Sequence, residues 1–510
     1  MRTKYAIKNI SISIFSQIVI TLLGFASRKV FVDSLGAEYL GVNGLLSNVL
    51  SMMVLIESGI GISIVYNLYK PLADNNKEKI IALVQLYKKA YTALAIIMLV
   101  ISSVLYPFMG YLMKTDTDIP GIFIVYFIFV GKNIISYMNA YKWALINADQ
   151  KGYVLSTSNL VFQILTTIGK ILILMITKNY IAYLLIEVAI FVIQIVYNRY
   201  PYIKNKSKYK IDLDTKDNIN KNVKAMFFHN IGGYLLSSTD NILISAFVGL
   251  KAVGLYSNYT MVISQLSNLL SPIINGIGAS VGNLIVTEDN NKTYSIFRVS
   301  FMISFWIYSF ATIILYNLLD PFIGWMFGTE YILSKAVVLV VLLNFYLNGM
   351  RGPIATFKNK AGLFVQDKYI SVIEGLVNLF GSLILIKYFG FIGVFLGTTL
   401  STLVTVFWSQ PRVVYKYLFK RTVISYFIKY VIGIVVMLLV GGVTTFICNL
   451  VATEITFISL IIRGLICLIT VNSIYLLIFF RTPEIKYLIT SLKVQFNLIR
   501  EKVSTRESVI

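Results

Sequence analysis

The chain has 510 residues, of which 57% are hydrophobic and only 13% are charged, and its mean hydropathy is +0.76. This composition excludes a water-soluble globular protein, in which about 25% of the residues are typically charged. The net charge of +22 is compatible with a nucleic-acid partner only if a soluble basic face exists, and no polar stretch is long enough to form one. We therefore expect a membrane protein that binds no nucleic acid.

Apolar stretches long enough to cross a bilayer, which takes about 20 residues, run along most of the chain. Each is a continuous run rather than an alternation over about ten residues, so helices are expected and not barrel strands. The predicted fold class is an all-α polytopic membrane protein with about fourteen transmembrane helices. The spans cover roughly residues 8–34, 41–67, 88–113, 121–146, 153–177, 179–200, 225–248, 252–286, 294–319, 331–357, 367–389, 391–416, 422–449 and 455–480.

The distribution of lysine and arginine orients these spans. If the N-terminus is cytoplasmic, most of the 45 basic residues fall in segments on the inner side, as the positive-inside rule requires. We expect the protein to lie in the cell membrane. An even number of spans then places both of its termini in the cytoplasm. The predicted outside loops contain Lys114, Lys178, Lys251, Lys335 and Lys387.

Two segments of the chain resemble each other. The stretch LGAEYLGVNGLLSNVLSMM at 35–53 aligns with VGLKAVGLYSNYTMVISQL at 248–266 at an offset of 213 residues. Further along, GIGIS at 59–63 returns as GIGAS at 276–280. The alternative is that glycine and serine only mark helix contacts. The alignment places Gly36 over Gly249, Gly41 over Gly254 and Ser51 over Ser264.

The length of this repeat predicts the architecture. One period contains six spans, an even number, so both copies face the same way across the membrane. Such parallel repeats form two six-helix lobes around a central cleft. We expect lobes at 1–222 and 223–420, an additional helix pair at 421–480, and a basic tail at 481–510. Apolar residues three and four apart predict that the tail is an amphipathic helix on the inner leaflet, with a solvated helix as the alternative.

These motifs resemble a known family. LGAEYLGVNGLLS after the first helix, its echo VGLKAVGLYSNY after the seventh, and ADQKGYV before the fifth are similar to the Wzx-type polysaccharide flippases. That family belongs to the multidrug, oligosaccharidyl-lipid and polysaccharide exporter superfamily. The resemblance implies a polyprenyl-diphosphate-linked oligosaccharide as cargo, moved by alternating access from the inner to the outer leaflet for capsule or O-antigen-like polymer. It also implies a polysaccharide polymerase and assembly proteins as candidate partners.

Basic residues inside the spans are the first candidates for a binding site, because charge in hydrocarbon costs on the order of 3 kcal/mol. Arg28 and Lys29 lie in the outer half of the first span and Lys132 near the middle of the fourth. The resemblance implies a cation facing the cleft at about Arg28, and we predict that all three contact the substrate, with anchoring at the interface as the alternative. Lys170 and Arg463 lie nearer the outer ends of their spans, where we expect them to snorkel.

Two acidic residues inside the spans are candidates for ion coupling or gating. Glu57 lies deep in the second span and Asp240 in the seventh, aligned with Ser27 of the first. Short acids cannot reach the interface as lysine can, so each must stay neutral, pair with a cation or exchange partners. We expect a coupling ion, a proton or sodium, at one of these positions.

Catalytic and metal-binding patterns do not appear in the sequence. The chain has one histidine, His229, and two cysteines, Cys448 and Cys467, whose predicted depths differ by roughly 18 Å. We therefore expect no enzyme, no bound cofactor and no metal. Two alternatives remain: an ion-coupled drug exporter of the same superfamily, and a membrane-embedded polymerase or glycosyltransferase, which should have a large outer loop.

Overall fold

The computed structural model describes residues 2–57, 60–114, 119–148, 152–198, 238–363 and 366–490. Within these ranges the chain is helical almost throughout and contains no β-strand. The predicted all-α class is confirmed. The helices are α1 (Arg2–Glu57), α2 (Ile60–Ala73), α3 (Lys77–Leu105), α4 (Ile122–Ala148), α5 (Gly152–Thr177), α6 (Tyr180–Tyr197), α7 (238–247), α8 (Leu250–Thr287), α9 (Asn290–Phe327), α10 (Lys335–Lys360), α11 (Ile370–Phe389), α12 (Phe391–Val404), α13 (Val406–Val414), α14 (Ile424–Val451), α15 (Phe457–Phe479) and α16 (483–490).

Ten helices in the described residues are long and apolar enough to cross a membrane. Most of the predicted span 225–248 lies outside the described ranges, so this number does not cover the whole chain. On α14 and α15 the exposed surface is apolar: Leu438, Phe446 and Leu477 expose 64%, 66% and 82%. Water disfavours such a surface, whereas the hydrocarbon of a bilayer suits it, and the chain is therefore a multi-pass membrane protein.

The first of two compact units contains Met1–Ser257 together with Ser371–Gly397. In it, α1 packs mainly along α5, α3 along α4, and α5 along α6. Helix α1 is interrupted at Gly36, whose φ of 85° and ψ of −178° are not helical. Glycine adopts a positive φ at little cost, and the interruption separates the first two predicted spans. The aligned residue in the repeat, Gly249, also has a positive φ, 126°.

A close helix crossing joins α1 to α8 within this unit. A Cβ atom on Gly41 would come within 2.0 Å of the Leu250 carbonyl oxygen, and one on Gly254 within 1.9 Å of the Ala37 carbonyl oxygen. These contacts are reciprocal, because Leu250 and Gly254 follow Ala37 and Gly41 by the same 213 positions. Only glycine allows backbones to approach this closely. The crossing supports the repeat that the sequence indicates.

The second compact unit contains Asn258–Ile370 and Thr398–Ile510. Its central helix is α9, which packs against α10, α14 and α15. The boundaries of the two units differ from those of the predicted lobes, 1–222 and 223–420. Most of α11 and the start of α12 belong to the first unit, whereas the prediction assigned them to the second lobe. The lobe boundaries stay a prediction.

The helix pair α14 and α15 has an offset that the sequence did not indicate. Arg463 donates two hydrogen bonds, of 2.7 and 2.9 Å, to the Ala452 carbonyl at the end of α14. One turn further along, the Sγ atoms of Cys448 and Cys467 lie 4.0 Å apart, and both cysteines are free. The expected depth difference of roughly 18 Å is wrong because α15 begins about two turns beyond the end of α14. Arg463 accordingly caps the end of α14, and its reach to the membrane interface stays a prediction.

A charged cluster binds the start of α16 to the second unit. Glu484 Oε1 accepts hydrogen bonds from Arg298 at 2.8 Å and from Lys429 at 3.4 Å. Burial alone would raise the pKa of the Glu484 carboxyl, but its hydrogen bonds and the charges of Arg298 and Lys429 hold it below the ordinary value. Ile485 beside it is buried. The predicted tail helix is therefore present over 483–490, and its continuation lies outside the described residues.

Candidate functional site

Arg28 is held inside the first unit by a partner from another helix. Its Nη2 atom donates to Ser257 Oγ of α8 at 2.5 Å. The guanidinium also lies close enough to Tyr183 of α6 for an electrostatic interaction. A cation in the outer half of the first predicted span is thus positioned between α1, α6 and α8. Two planar donor edges suit the guanidinium to phosphate oxygens.

Lys29 has a different environment although it follows Arg28 directly. Adjacent residues on a helix point about 100° apart, and Lys29 forms an ion pair with Asp33 one turn along α1 at 2.8 Å. Both side chains are about half exposed, at 43% and 51%. The structure therefore does not bring Lys29 together with the Arg28 contacts, and its contact with substrate stays a prediction.

Lys132 belongs to a cluster of charges that three helices form. Its ammonium group pairs with Glu187 of α6, and Lys170 of α5 pairs with the other carboxylate oxygen of Glu187 at 2.5 Å. Lys170 also lies over the ring of Tyr183, 4.1 Å from the ring centroid. The expectation that Lys170 snorkels is thus wrong, because a carboxylate within reach neutralises it where it lies.

Sequence reasoning missed the role of Glu187, although a signal for it existed. Lys170 and Glu187 lie eight and nine residues from Lys178, at the turn between α5 and α6. Antiparallel neighbours at equal distance from a turn have the same depth in the membrane, so this spacing indicates a pair. Depth measured from the end of each separate span does not reveal this pair.

Glu57 lies in a group of tyrosines contributed by α3. The Tyr91 hydroxyl donates to Glu57 Oε1, and the Tyr91 ring stacks on that of Tyr87 with centroids 4.3 Å apart. Gly61 of the GIGIS motif leaves room for this group, because a Cβ there would come within 2.4 Å of the Tyr91 hydroxyl and 3.3 Å of Glu57 Oε1. The first copy of the repeated motif thus makes space around a partly buried acid.

Asp240 is the acid of α7, and it is partly buried. Its Oδ1 atom is buried and makes no hydrogen bond in the described part of the chain, and no ion pair found there includes it. Tyr256 is near enough to interact with it electrostatically. Asp240 and Arg28 do not form an ion pair in this structure. The role of Asp240 in gating stays a prediction.

The repeat relates the Arg28 contact to a second one. At the offset of 213 residues, Arg28 and Ser257 correspond to Asn241 and Gly44. The Asn241 side-chain nitrogen would lie 3.7 Å from a Cβ on Gly44, so the equivalent side chains approach each other in both places. The positive charge is present in only one of these two equivalent positions, and the site is therefore asymmetric.

Metal-binding side chains do not cluster in the described residues, where no three of His, Cys, Asp and Glu could hold an ion together. His229 lies outside the described ranges. The acids discussed above are instead separate, each with its own neighbours.

Comparison with family models decides the family. Residues 6–277, more than half of the chain, match the model described as "Polysaccharide biosynthesis protein". The chain belongs to this polysaccharide biosynthesis protein family. The matched range includes both segments of the 213-residue repeat and all five predicted site residues. A search of curated proteins found no match.

Solved structures share the fold of this polysaccharide biosynthesis protein. The lipid II flippase MurJ in an inward closed conformation superposes with a TM-score of 0.62 at 14% identity, covering 93% of this chain and 99% of that one. An inward-facing multidrug resistance MATE transporter of the MOP superfamily gives 0.56 at 14% identity, covering 80% and 98%. A variant of the Vibrio cholerae MATE transporter VcmN gives 0.54 at 13% identity, covering 82% and 98%.

The solved structures agree on the fold. The fold of this chain is one that a lipid II flippase and MATE transporters also have. At these identities the solved structures establish the fold alone. The resemblance inferred from the repeated glycine motifs is confirmed at the level of the family, and the fold is shared with MurJ and a MATE transporter.

Proposed function

We propose that the protein flips a polyprenyl-diphosphate-linked oligosaccharide from the inner to the outer leaflet of the cell membrane. The observation that carries the proposal is Arg28, a cation kept inside the first unit by Ser257. A charge in that place is costly, and a bound anion offsets part of this cost. A diphosphate is the part of the cargo that an arginine fork recognises best, through two parallel hydrogen bonds.

The remaining predicted residues have subordinate roles in this proposal. Lys132 adds a second positive charge for the diphosphate, and Lys29 assists from the half-exposed face of α1. The sugar occupies the polar cleft between the lobes and the prenyl chain stays in lipid. Rocking of the lobes alternates access to the two sides. The polymer is capsule or O-antigen-like, and a polymerase and assembly proteins take up the product.

Coupling to an ion is a separate part of the proposal. Glu57, which accepts from Tyr91, is the candidate for taking up a proton or sodium, and Asp240 for exchanging partners as the lobes move. With purified protein in vesicles, Glu57→Gln should abolish the part of transport that an imposed ion gradient adds, while cargo binding stays nearly intact. Equal transport by both proteins with and without the gradient would exclude this role.

A second candidate function is export of cationic drugs, which the likeness to MATE transporters favours. The charges argue against it. A cationic drug binds next to acidic side chains, whereas at Glu187 two lysines, Lys132 and Lys170, share one carboxylate. The net positive charge of this group favours an anionic cargo.

The experiment that tests the function uses proteoliposomes loaded with a polyprenyl-diphosphate-linked oligosaccharide that carries a fluorescent sugar. A membrane-impermeant quencher measures how much cargo is exposed outside. We expect the wild-type protein to equilibrate the two leaflets and Arg28→Ala to leave the inner pool protected. Vesicles that move ethidium but not the lipid-linked sugar would replace this proposal with drug export.

A further inference from the structure

The cluster formed by Lys132, Lys170 and Glu187 is more than a link between helices. Each residue comes from a different helix, α4, α5 and α6, and the two lysines share one carboxylate. Among the described residues, Glu187 is the only acid that forms an ion pair with either lysine. One acid therefore balances two cations, and the cluster retains a positive charge.

Burial makes this excess charge significant. The side chains of Lys170 and Glu187 are only 16% and 21% exposed, whereas Lys132 remains 40% exposed. A pair that served stability alone would need one lysine, since each further charge within the membrane adds a cost. The accessible lysine and the excess charge together describe a site that accepts another anion from outside the cluster.

Neighbouring contacts place this cluster beside Arg28. The ring of Tyr183 lies one turn from Glu187 on α6, supports the Lys170 ammonium at 4.1 Å, and packs against Phe31 of α1 with centroids 5.0 Å apart. Arg28 interacts electrostatically with the same tyrosine. Three cationic side chains thus converge on one side of α6. Tyr183 continues to hold Lys170 in place if its carboxylate partner leaves, through the cation–π contact.

We infer that Lys132 and Lys170 form a diphosphate site and that Glu187 is a resident anion, which the diphosphate of the cargo displaces. This inference rests on the proposed function and extends it to two residues, Lys170 and Glu187, with a defined competition between them. A diphosphate carries more negative charge than a carboxylate, so it matches the two lysines and Arg28 better. In the empty state Glu187 offsets one of the two lysine charges and holds both lysines at the right depth.

Competition has a consequence with a definite sign. An internal anion that occupies the site lowers the apparent affinity for the external one, as any competing state does. Removing the charge of Glu187 should therefore tighten binding of a diphosphate, whereas removing the charge of Lys170 should weaken it. A cluster that only connects helices would lose stability in both variants and would gain affinity in neither.

The test is calorimetric titration of the purified full-length protein in lipid nanodiscs with inorganic pyrophosphate. We expect Glu187→Gln to bind about tenfold more tightly than wild type and Lys170→Gln about tenfold more weakly, in line with the loss of one charge-assisted contact. Lys170→Arg should retain binding, and Lys387→Gln, an exposed lysine of α11, should bind as wild type does. Unchanged or weaker binding by Glu187→Gln would overturn the inference, and thermal unfolding of each variant confirms that it is folded.

Two further arms separate this inference from the proposed function and from another source of phosphate. Orthophosphate should bind much more weakly than pyrophosphate; equal affinity would mean that the site recognises a single phosphate, as on a phospholipid headgroup, and would overturn the diphosphate assignment. Wild-type transport and pyrophosphate affinity in Lys170→Gln would exclude the site while leaving the flippase intact. Pyrophosphate binding with the expected signs, but without movement of the lipid-linked sugar, would exclude the flippase while leaving the site.

Discussion

Arg28 and Lys29 show how two adjacent cations acquire different environments. The angle between neighbouring positions on a helix predicts that they diverge. It does not predict which one turns inward, because that depends on α8 and α6, which are distant in sequence. Ser257 lies 229 positions from Arg28, whereas Asp33, the partner of Lys29, is four positions away. The local partner could be predicted from the sequence, and the distant one could not.

Arg28→Ala should stop export at normal protein levels, because it removes a charge-assisted contact to the diphosphate worth about 1.5–3 kcal/mol. Arg28→Lys keeps the charge without the fork and should retain part of the activity. Surface polymer in a strain that lacks the wild-type gene measures both. Lys387→Ala, on an exposed position of α11, is the matched control. Full complementation by Arg28→Ala would place this arginine among the structural residues.

Charges deep within the spans show the same limit of prediction from sequence. Depth within a span predicted that Glu57, Lys132 and Asp240 need a special environment, since none can reach the interface. It did not predict the tyrosines around Glu57 or the shared carboxylate at Lys132, because both depend on which helices become neighbours. Only the pair of Lys170 and Glu187 lies on consecutive helices, and it could have been predicted from the sequence by counting from the turn.

At the level of elements, the crossing of α1 and α8 depends on the absence of two side chains. Gly41→Ala or Gly254→Ala would place a Cβ about 2 Å from a carbonyl oxygen of the other helix, and the helices must separate. Overpacking of this kind costs about 1–3 kcal/mol. We expect each variant to lower the thermal unfolding temperature and the double variant to cost less than the sum, since one separation relieves both clashes.

The control for this prediction is Gly442→Ala on α14, where a Cβ would meet nothing within 4 Å. Its unfolding temperature should equal that of the wild type or exceed it slightly, because alanine favours a helix. An unchanged unfolding temperature for Gly41→Ala would contradict the prediction, because it would mean that α1 and α8 have room for the added Cβ atom.

The attachment of α16 should depend on pH through Glu484. Because the folded protein holds the pKa of this carboxyl below its ordinary value of 4.5, the stabilisation is present above that value and is lost as the pH falls through the lowered pKa. Glu484→Gln removes it at every pH. The difference in unfolding temperature between wild type and Glu484→Gln should therefore be largest near pH 6 and shrink toward pH 3. A difference that stays constant would assign the effect to packing around Ile485 instead of to charge.

For the whole molecule, the sequence predicted the class and most spans, because apolar runs respond directly to the bilayer, and its repeated motifs predicted the family. It did not predict that α11 belongs to the first compact unit, since the repeat concerns order along the chain and not packing. The offset of α14 and α15 was missed for a similar reason. Span ends set by hydropathy give no measure of how far one helix extends beyond the next.

The prediction for the whole molecule concerns its membrane topology, that is, which loops and termini lie in the cytoplasm. A reporter fused after Leu213 or Val503 should report the cytoplasm, and one inserted at Thr117 should report the exterior; all three positions lie outside the described residues. The positive-inside rule is the physical reason, because the membrane potential and anionic lipids retain lysine-rich segments inside. A cytoplasmic signal at Thr117 would reverse the assignment of inner and outer ends throughout the chain.

The reciprocal contacts of Gly41 with Leu250 and of Gly254 with Ala37 obey the rule of a two-fold symmetric dimer, in which one surface patch meets a second copy of itself. A half-length chain that carried this patch could therefore associate with an identical partner through the same glycines. Fusion of two such chains frees each copy to change alone. Arg28 in one copy has Asn241 at the equivalent place in the other. A dimer of two identical chains could not contain this difference, and it makes the two equivalent positions chemically unlike each other.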